Sequence, residues 1–229
     1  MFDAPSPTGE RVALSSVRVL APTRPSKMIA LWNNFRALGT KLGLLEPVEP
    51  LFFIKAASSY ADPDTTVRRP AGYDGKVVFE GELAIVIGAA CRNASLDAAE
   101  AAIFGYTCVN DITASDILHK DPSFAQWTRA KSFDGFSPFG PVVATGLRPE
   151  KLVVRTVLNG TERQNYPVAD MVFQPTALVS LLSRDMTLLP GDVICCGTSL
   201  GVGAMREPSN TVEVTINEIG TLRNRFENG

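Results

Sequence analysis

The chain has 229 residues, 45% apolar and 20% charged, a globular composition with enough material for a sizeable core. Its formal net charge of −2 and the lack of any Lys/Arg cluster argue against a nucleic-acid partner. No apolar run reaches membrane-spanning length, and Met1-Phe2-Asp3-Ala4-Pro5 lacks the basic-then-apolar pattern of a secretory leader, so a cytoplasmic protein without a membrane partner is expected.

Residues 11–20 alternate apolar and polar and predict one or two short strands, an N-terminal β extension over 1–26 ahead of a main domain over 27–229. Ala21-Pro22-Thr23-Arg24-Pro25-Ser26 reads as a linker. Met28 to Trp32 predicts a strand, Asn33-Asn34 a cap for a helix over 35–43, and Gly43 its end. Leu51 to Ile54 is a buried strand candidate.

The most informative segment is Val77-Val78-Phe79-Glu80-Gly81-Glu82-Leu83-Ala84-Ile85-Val86-Ile87. In a strand, residues i and i+2 share a face, so Glu80 and Glu82 project side by side. At about 4 Å and an effective dielectric of about 20, such charges repel by about 4 kcal/mol. Solvation, protonation of one carboxylate or a bound cation relieves that repulsion. The uninterrupted apolar run Leu83 to Ile87 reads as buried on both faces, which makes solvation the less natural choice.

Further on, Ser95 caps a helix over about 96–104, Gly105 ends it, and Tyr106 to Val109 forms a strand. Asp111 follows that strand, either as a turn residue or as a third carboxylate beside the glutamate pair, a set that Mg²⁺ accepts. Thr113 and Asp116 match a capping box. Residues 120–141, rich in Pro and Gly, predict a long irregular loop; Lys131 lies there among aromatics, as a surface lysine or as the neutraliser of an oxyanion. Asn159-Gly160 signals a hairpin after a strand at 152–158, a helix follows near 175–184, and strands are predicted at 192–196 and 211–218. Gly197-Thr198-Ser199-Leu200-Gly201-Val202-Gly203 lacks the G-K-[ST] of a nucleotide loop; it reads as a turn, or as a loop offering backbone N–H groups and the Thr198 hydroxyl to a small carboxylate.

The cysteines Cys91, Cys108, Cys195 and Cys196 form no C-x-x-C and read as reduced core residues. One histidine, His119, excludes a multi-histidine metal site within a single chain and reads as a loop residue. Strands and helices do not alternate regularly, which predicts an α+β fold with mixed or antiparallel sheets.

The ordered segments Phe53-Ile54-Lys55, Phe79 to Gly88, Gly105 to Asp111, Trp127-Thr128-Arg129-Ala130-Lys131-Ser132-Phe133-Asp134, and Leu189 to Ile194 running into Gly197-Thr198 resemble the fumarylacetoacetate hydrolase superfamily, in particular its acylpyruvate hydrolases and 2-hydroxyhepta-2,4-diene-1,7-dioate isomerases. The resemblance implies a mixed β-sandwich roll, a homodimer, and Mg²⁺ (or Mn²⁺ or Ca²⁺) held by Glu80, Glu82 and Asp111. It also implies a 2-oxo or 2,4-dioxo acid substrate, Lys131 neutralising developing charge, and Thr198 and Arg36 binding the substrate.

The family's hydrolases and decarboxylases commonly carry a His and a Glu in a short helix after an Asn-Tyr, as Y-x-x-H-x-x-E; here Leu38 and Lys41 fall at those positions. Leucine cannot activate water, and a lysine there is expected to be protonated. Ser115 and Ser199 stand where the family often has Arg and Pro. The leading expectation is a Mg-dependent hydrolase cleaving a C–C bond in a 2,4-dioxo acid; the alternatives are an isomerase or decarboxylase of an unsaturated 2-oxo dicarboxylate in aromatic catabolism, and a non-catalytic 2-oxo acid binder.

Overall fold

In a computed structural model that describes residues 8–229, three mixed or antiparallel sheets carry the molecule, with few and short helices. In chain order the elements are β1 (Met28–Trp32), α1 (Arg36–Leu42), β2 (Leu51–Lys55), β3 (Tyr60–Ala61), β4 (Thr66–Arg68), β5 (Val77–Phe79) and β6 (Gly81–Ile87). There follow α2 (Leu96–Ala102), β7 (Ile103–Asn110), β8 (Thr113–Ala114), α3 (Ser115–Leu118), α4 (Trp127–Lys131) and β9 (Ser137–Ala144). The last third holds β10 (Val153–Leu158), β11 (Thr161–Pro167), α5 (Pro175–Asp185), β12 (Val193–Cys195), β13 (Gly203–Ala204), β14 (Ser209–Ile216) and β15 (Gly220–Glu227).

A seven-stranded sheet runs β2-β1-β12-β6-β7-β9-β3, a five-stranded sheet β11-β10-β14-β15-β4, and a three-stranded one β13-β5-β8. The β1–β12, β3–β9 and β4–β15 pairs are parallel, the others antiparallel, an α+β arrangement of the expected kind. β6 lies mid-sheet and is buried at every position. Leu83, Ile85 and Ile87 join a core shared with Leu178 and Leu182 of α5 and with Val154, Val214 and Leu222 of the five-stranded sheet. Ala84 and Val86, on the opposite face, pack with Met28, Phe53, Val109 and Cys195. Burying both faces of a central strand demands apolar side chains throughout, which explains the uninterrupted run. Cys195 and Cys196 separate into the two clusters, and all four cysteines are free thiols.

The two-residue turn Asn159-Gly160 takes positive φ at both positions (50° and 78°), as a tight hairpin between β10 and β11 requires. Ser95 caps α2 by accepting from Ala98 N–H, and α1 ends at Gly43 with φ +68°.

Four expectations are corrected. Residues 11–20 contain no strand, only a 3-10 turn at Leu14–Ser16, because Val12, Leu14, Val17 and Leu20 stay exposed instead of packing on a sheet. The part of the proposed β extension over residues 1–7 lies outside the described residues. Neither asparagine caps α1: its N-terminal amide at Ala37 donates to Asp170 Oδ2, while the Asn34 amide bridges Phe173 and Cys196. Thr113 and Asp116 form no capping box, since the Thr113 hydroxyl turns to Glu80 and Asp116 accepts from Lys76 N–H. The loop expected over 120–141 contains α4 and the start of β9.

Candidate acidic metal site

The strand predicted over 77–87 breaks at Glu80. β5 belongs to the three-stranded sheet and β6 to the seven-stranded one, and Glu80 is the residue between them. Asn110 and Asp111, at the end of β7, lie alongside this break. Glu80 N–H donates to Asn110 Oδ1 at 3.0 Å, and Asp111 N–H donates to Glu80 O at 2.8 Å. The register Gly81↔Asn110 and Glu82↔Val109 therefore carries Asp111 to the glutamate pair. Carboxylate oxygens of Glu80, Glu82 and Asp111 all lie within 4.8 Å of one another.

Two lysines serve this trio. Lys131, the last residue of α4, places Nζ 2.7 Å from Glu80 Oε2 and 2.7 Å from Asp111 Oδ2. Lys55, the last residue of β2, pairs with Asp111 Oδ1 and also donates to Phe136 O at 3.2 Å. Phe53, two residues earlier on the same strand face, presents its ring 5.6 Å from Lys131 Nζ and stacks on Trp127, which lies one helical turn before Lys131. Lys55 is the residue that sequence reasoning missed as a site member. A lysine closing an apolar strand, Leu51-Phe52-Phe53-Ile54-Lys55, was the available signal.

Three carboxylates against two ammonium groups leave a formal charge of −1. Glu82 has no ion pair among the described residues; its Oε2 accepts from Gly197 N–H at 2.9 Å. Burial, together with the Asp111 and Glu80 charges, pushes its pKa well above the usual carboxylate range. Glu80 is raised too, by burial, although Lys131 opposes the shift. For Asp111 burial also acts upward, but Lys131 and Lys55 outweigh it and hold the carboxyl below its ordinary value. Burial acts to lower Lys131, yet the three carboxylates raise its pKa, so its ammonium stays firmly charged.

The donor set fits a hard divalent cation. It consists of carboxylate oxygens converging in a buried space, with one carboxylate uncompensated. Oxygen-only donors suit Mg²⁺, Mn²⁺ or Ca²⁺ rather than a thiophilic metal.

The remaining sequence candidates lie around this centre. The Thr198 hydroxyl donates to Gly81 O at 3.1 Å and accepts from Gln164 Nε2 at 2.9 Å. The 197–203 loop does offer an N–H to a carboxylate, and that carboxylate is the protein's own Glu82. Arg36 is partly exposed at the start of α1, donating to Met171 O at 2.6 Å and pairing with Glu46 at 2.9 Å. Leu38 packs against the main core, Lys41 is exposed, and His119 is exposed after α3.

Fold and site together define a mixed-sheet α+β domain with a buried acidic centre of the kind that holds a divalent cation. The family described as fumarylacetoacetate (FAA) hydrolase C-terminal matches residues 27–227, and the chain belongs to it. A 5-carboxymethyl-2-hydroxymuconate delta-isomerase from Mycobacterium smegmatis is 40% identical with a TM-score of 0.88, over 97% of this chain and 86% of that one. The oxaloacetate tautomerase YisK of Bacillus subtilis is 35% identical over 93% of this chain and 74% of its own length. A fumarylpyruvate hydrolase from Pseudomonas aeruginosa, solved with Mn²⁺ and pyruvate, is 26% identical with a TM-score of 0.83, over 90% and 91% of the two chains. No helix among the described residues is long and apolar enough to cross a membrane.

Proposed function

We propose that this protein is a metal-dependent tautomerase or isomerase of a small 2-oxo acid, moving a proton on the carbon next to the ketone. The observation that carries this reading is α1. Leu38 is partly buried against the core and Lys41 is exposed where the family's hydrolases have the His and Glu that activate water. Hydrolysis needs an activated water in addition to proton movement, whereas tautomerisation needs only the latter. The likeness to a tautomerase and to a delta-isomerase supports the same choice.

Glu80, Glu82 and Asp111 would hold the cation, with Mg²⁺ as the first choice and Mn²⁺ or Ca²⁺ as alternatives. When bound, it would supply Lewis-acid stabilisation of the negative charge that the substrate's ketone oxygen gains as the proton leaves. Lys131, firmly protonated, adds a fixed positive charge beside the site and offsets the carboxylates that it touches. Lys55 keeps Asp111 ionised and aimed. Thr198 would meet the substrate carboxylate by turning its hydroxyl proton from Gly81 O to the substrate. Arg36 would meet a far carboxylate by exchanging Glu46, an exposed partner worth under about 1 kcal/mol. The same reading takes the protein as a cytoplasmic homodimer.

A second reading, hydrolysis of a 2,4-dioxo acid, is favoured by the likeness to fumarylpyruvate hydrolase. One assay separates the readings. With Mg²⁺ or Mn²⁺, the enol absorbance of oxaloacetate is expected to decay faster than without enzyme, with no pyruvate formed. Stoichiometric pyruvate from acylpyruvates, with no effect on oxaloacetate, would replace the first reading by the second. Unchanged absorbance with every 2-oxo acid in the panel would leave only the non-catalytic binder.

A further inference from the structure

Gly81, the residue between the two glutamates, has both of its backbone polar groups held by side chains from elsewhere in the fold. Its N–H donates to Gln164 Oε1 at 2.9 Å. Its carbonyl accepts from Tyr166 OH at 2.6 Å and from the Thr198 hydroxyl at 3.1 Å. No side chain fits at this position, because a Cβ on Gly81 would run into Thr156 Oγ1. Gln164 and Tyr166 are the inward-facing pair of β11, whose neighbours Arg163, Asn165 and Pro167 are exposed. A glutamine at a buried strand position is costly unless its amide is satisfied. Here the amide is fully used: besides Gly81, Nε2 reaches Thr198 Oγ1 at 2.9 Å and Ser199 O at 3.3 Å.

That amide therefore joins two segments that both touch the acidic centre. One is the Glu80-Gly81-Glu82 peptide. The other is the loop from Gly197, whose own N–H holds Glu82 Oε2. The loop lies directly on β11: at Gly201, with φ +99°, a Cβ would strike Arg163 O. Rotation of either peptide plane flanking Gly81 would swing Glu80 and Glu82 apart; Gln164 holds the N–H of the first plane and Tyr166 the carbonyl of the second.

We propose that Gln164 is a positioning residue that holds Glu80 and Glu82 at the convergence a divalent cation needs, by clamping the peptide between them to the 197–201 loop. This rests on reading the carboxylate trio as a metal site. Gln164 does not touch the cation; it acts through backbone, as outer-shell partners do in metal centres.

The test is Mn²⁺ affinity, read from the electron paramagnetic resonance signal of free Mn²⁺, with no substrate present. Gln164→Met keeps the length of the side chain and removes its amide. It is expected to weaken Mn²⁺ binding by about 10–100-fold. Val179→Ala, a core truncation in α5, is the stability control and is expected to lower Tm with Mn²⁺ affinity within about twofold of wild type. Tyr166→Phe removes the bond to Gly81 O together with the hydroxyl's contact to Thr198 and is expected to weaken binding at least threefold; it decides the matter if Gln164→Met does not fold. Wild-type affinity in Gln164→Met, or in Tyr166→Phe when that variant decides, would overturn the inference alone. So would an equal loss in Val179→Ala, which would mark the effect as general destabilisation. A wild-type protein that binds no Mn²⁺ would overturn both this inference and the metal-site reading beneath it.

Discussion

Lys55 and Asp111 form an ion pair with 0% and 1% of their side chains exposed. Two charges withdrawn from water in this way depend on each other. Removing Asp111 leaves Lys55 buried without a carboxylate partner, and removing Lys55 leaves Asp111 with Lys131 as its one cation; breaking such a buried pair typically costs about 3–5 kcal/mol. Lys55→Met is accordingly expected to lower the unfolding free energy by about that much in urea titration. The double variant Lys55→Met with Asp111→Asn should be less destabilised than the sum of its parts, since neither charge is then stranded. Strict additivity in the cycle would show that the pair is not coupled.

Glu82, joined by Glu80, makes the metal-free protein sensitive to pH. The Glu82 pKa is raised in the folded state, so the folded protein keeps that proton to higher pH than the unfolded chain does. Stability from this group is present below the ordinary carboxylate range and is lost as pH rises through the folded pKa. Asp111 works in the opposite direction and in another window, losing its contribution only as pH falls below the ordinary carboxylate range. Tm of metal-free protein is therefore expected to fall as pH rises above the ordinary carboxylate range, and Glu82→Gln to flatten that fall. Identical profiles for the two proteins would contradict this account of Glu82.

The same protonation competes with a cation. Mn²⁺ affinity is expected to strengthen as pH rises above the ordinary carboxylate range, with proton release on binding, because the ligand form of Glu82 is the carboxylate. Calorimetry in two buffers of different ionisation enthalpy measures the released proton directly. No proton release and no pH dependence would remove Glu82 from the ligand set.

Lys131 and Arg36 are expected to separate binding from chemistry. Lys131→Met should retain Mn²⁺ while losing about 10²–10³ in kcat, the loss expected on deleting one fixed charge stabiliser. Arg36→Ala should raise KM for a 2-oxo dicarboxylate about tenfold, on the scale of one charge-assisted hydrogen bond, and leave a monocarboxylate analogue unaffected. Equal KM changes for both acids would place Arg36 away from the substrate, in its observed role tying α1 to Met171 O.

Local sequence determined much of this protein. The apolar run after Glu82 is the central strand because both of its faces are buried. The Asn159-Gly160 turn and the Ser95 cap are chemistry within a few residues, so they form as their sequences predict. The E-x-E spacing and the ordered motifs around it pointed to the acidic centre and to the family. Periodicity did not reveal that Glu80 stands at a break between two sheets, or that residues 11–20 lack a strand partner. The contacts that complete the centre join residues far apart in the chain. Lys55 reaches Asp111 across 56 positions, Gln164 reaches Gly81 across 83, and Gly197 reaches Glu82 across 115. A single side chain's sequence neighbours carry no record of such a partner. The glutamates and their spacing are local, but their charge balance and peptide orientation are set by groups that only the packing of two sheets brings together.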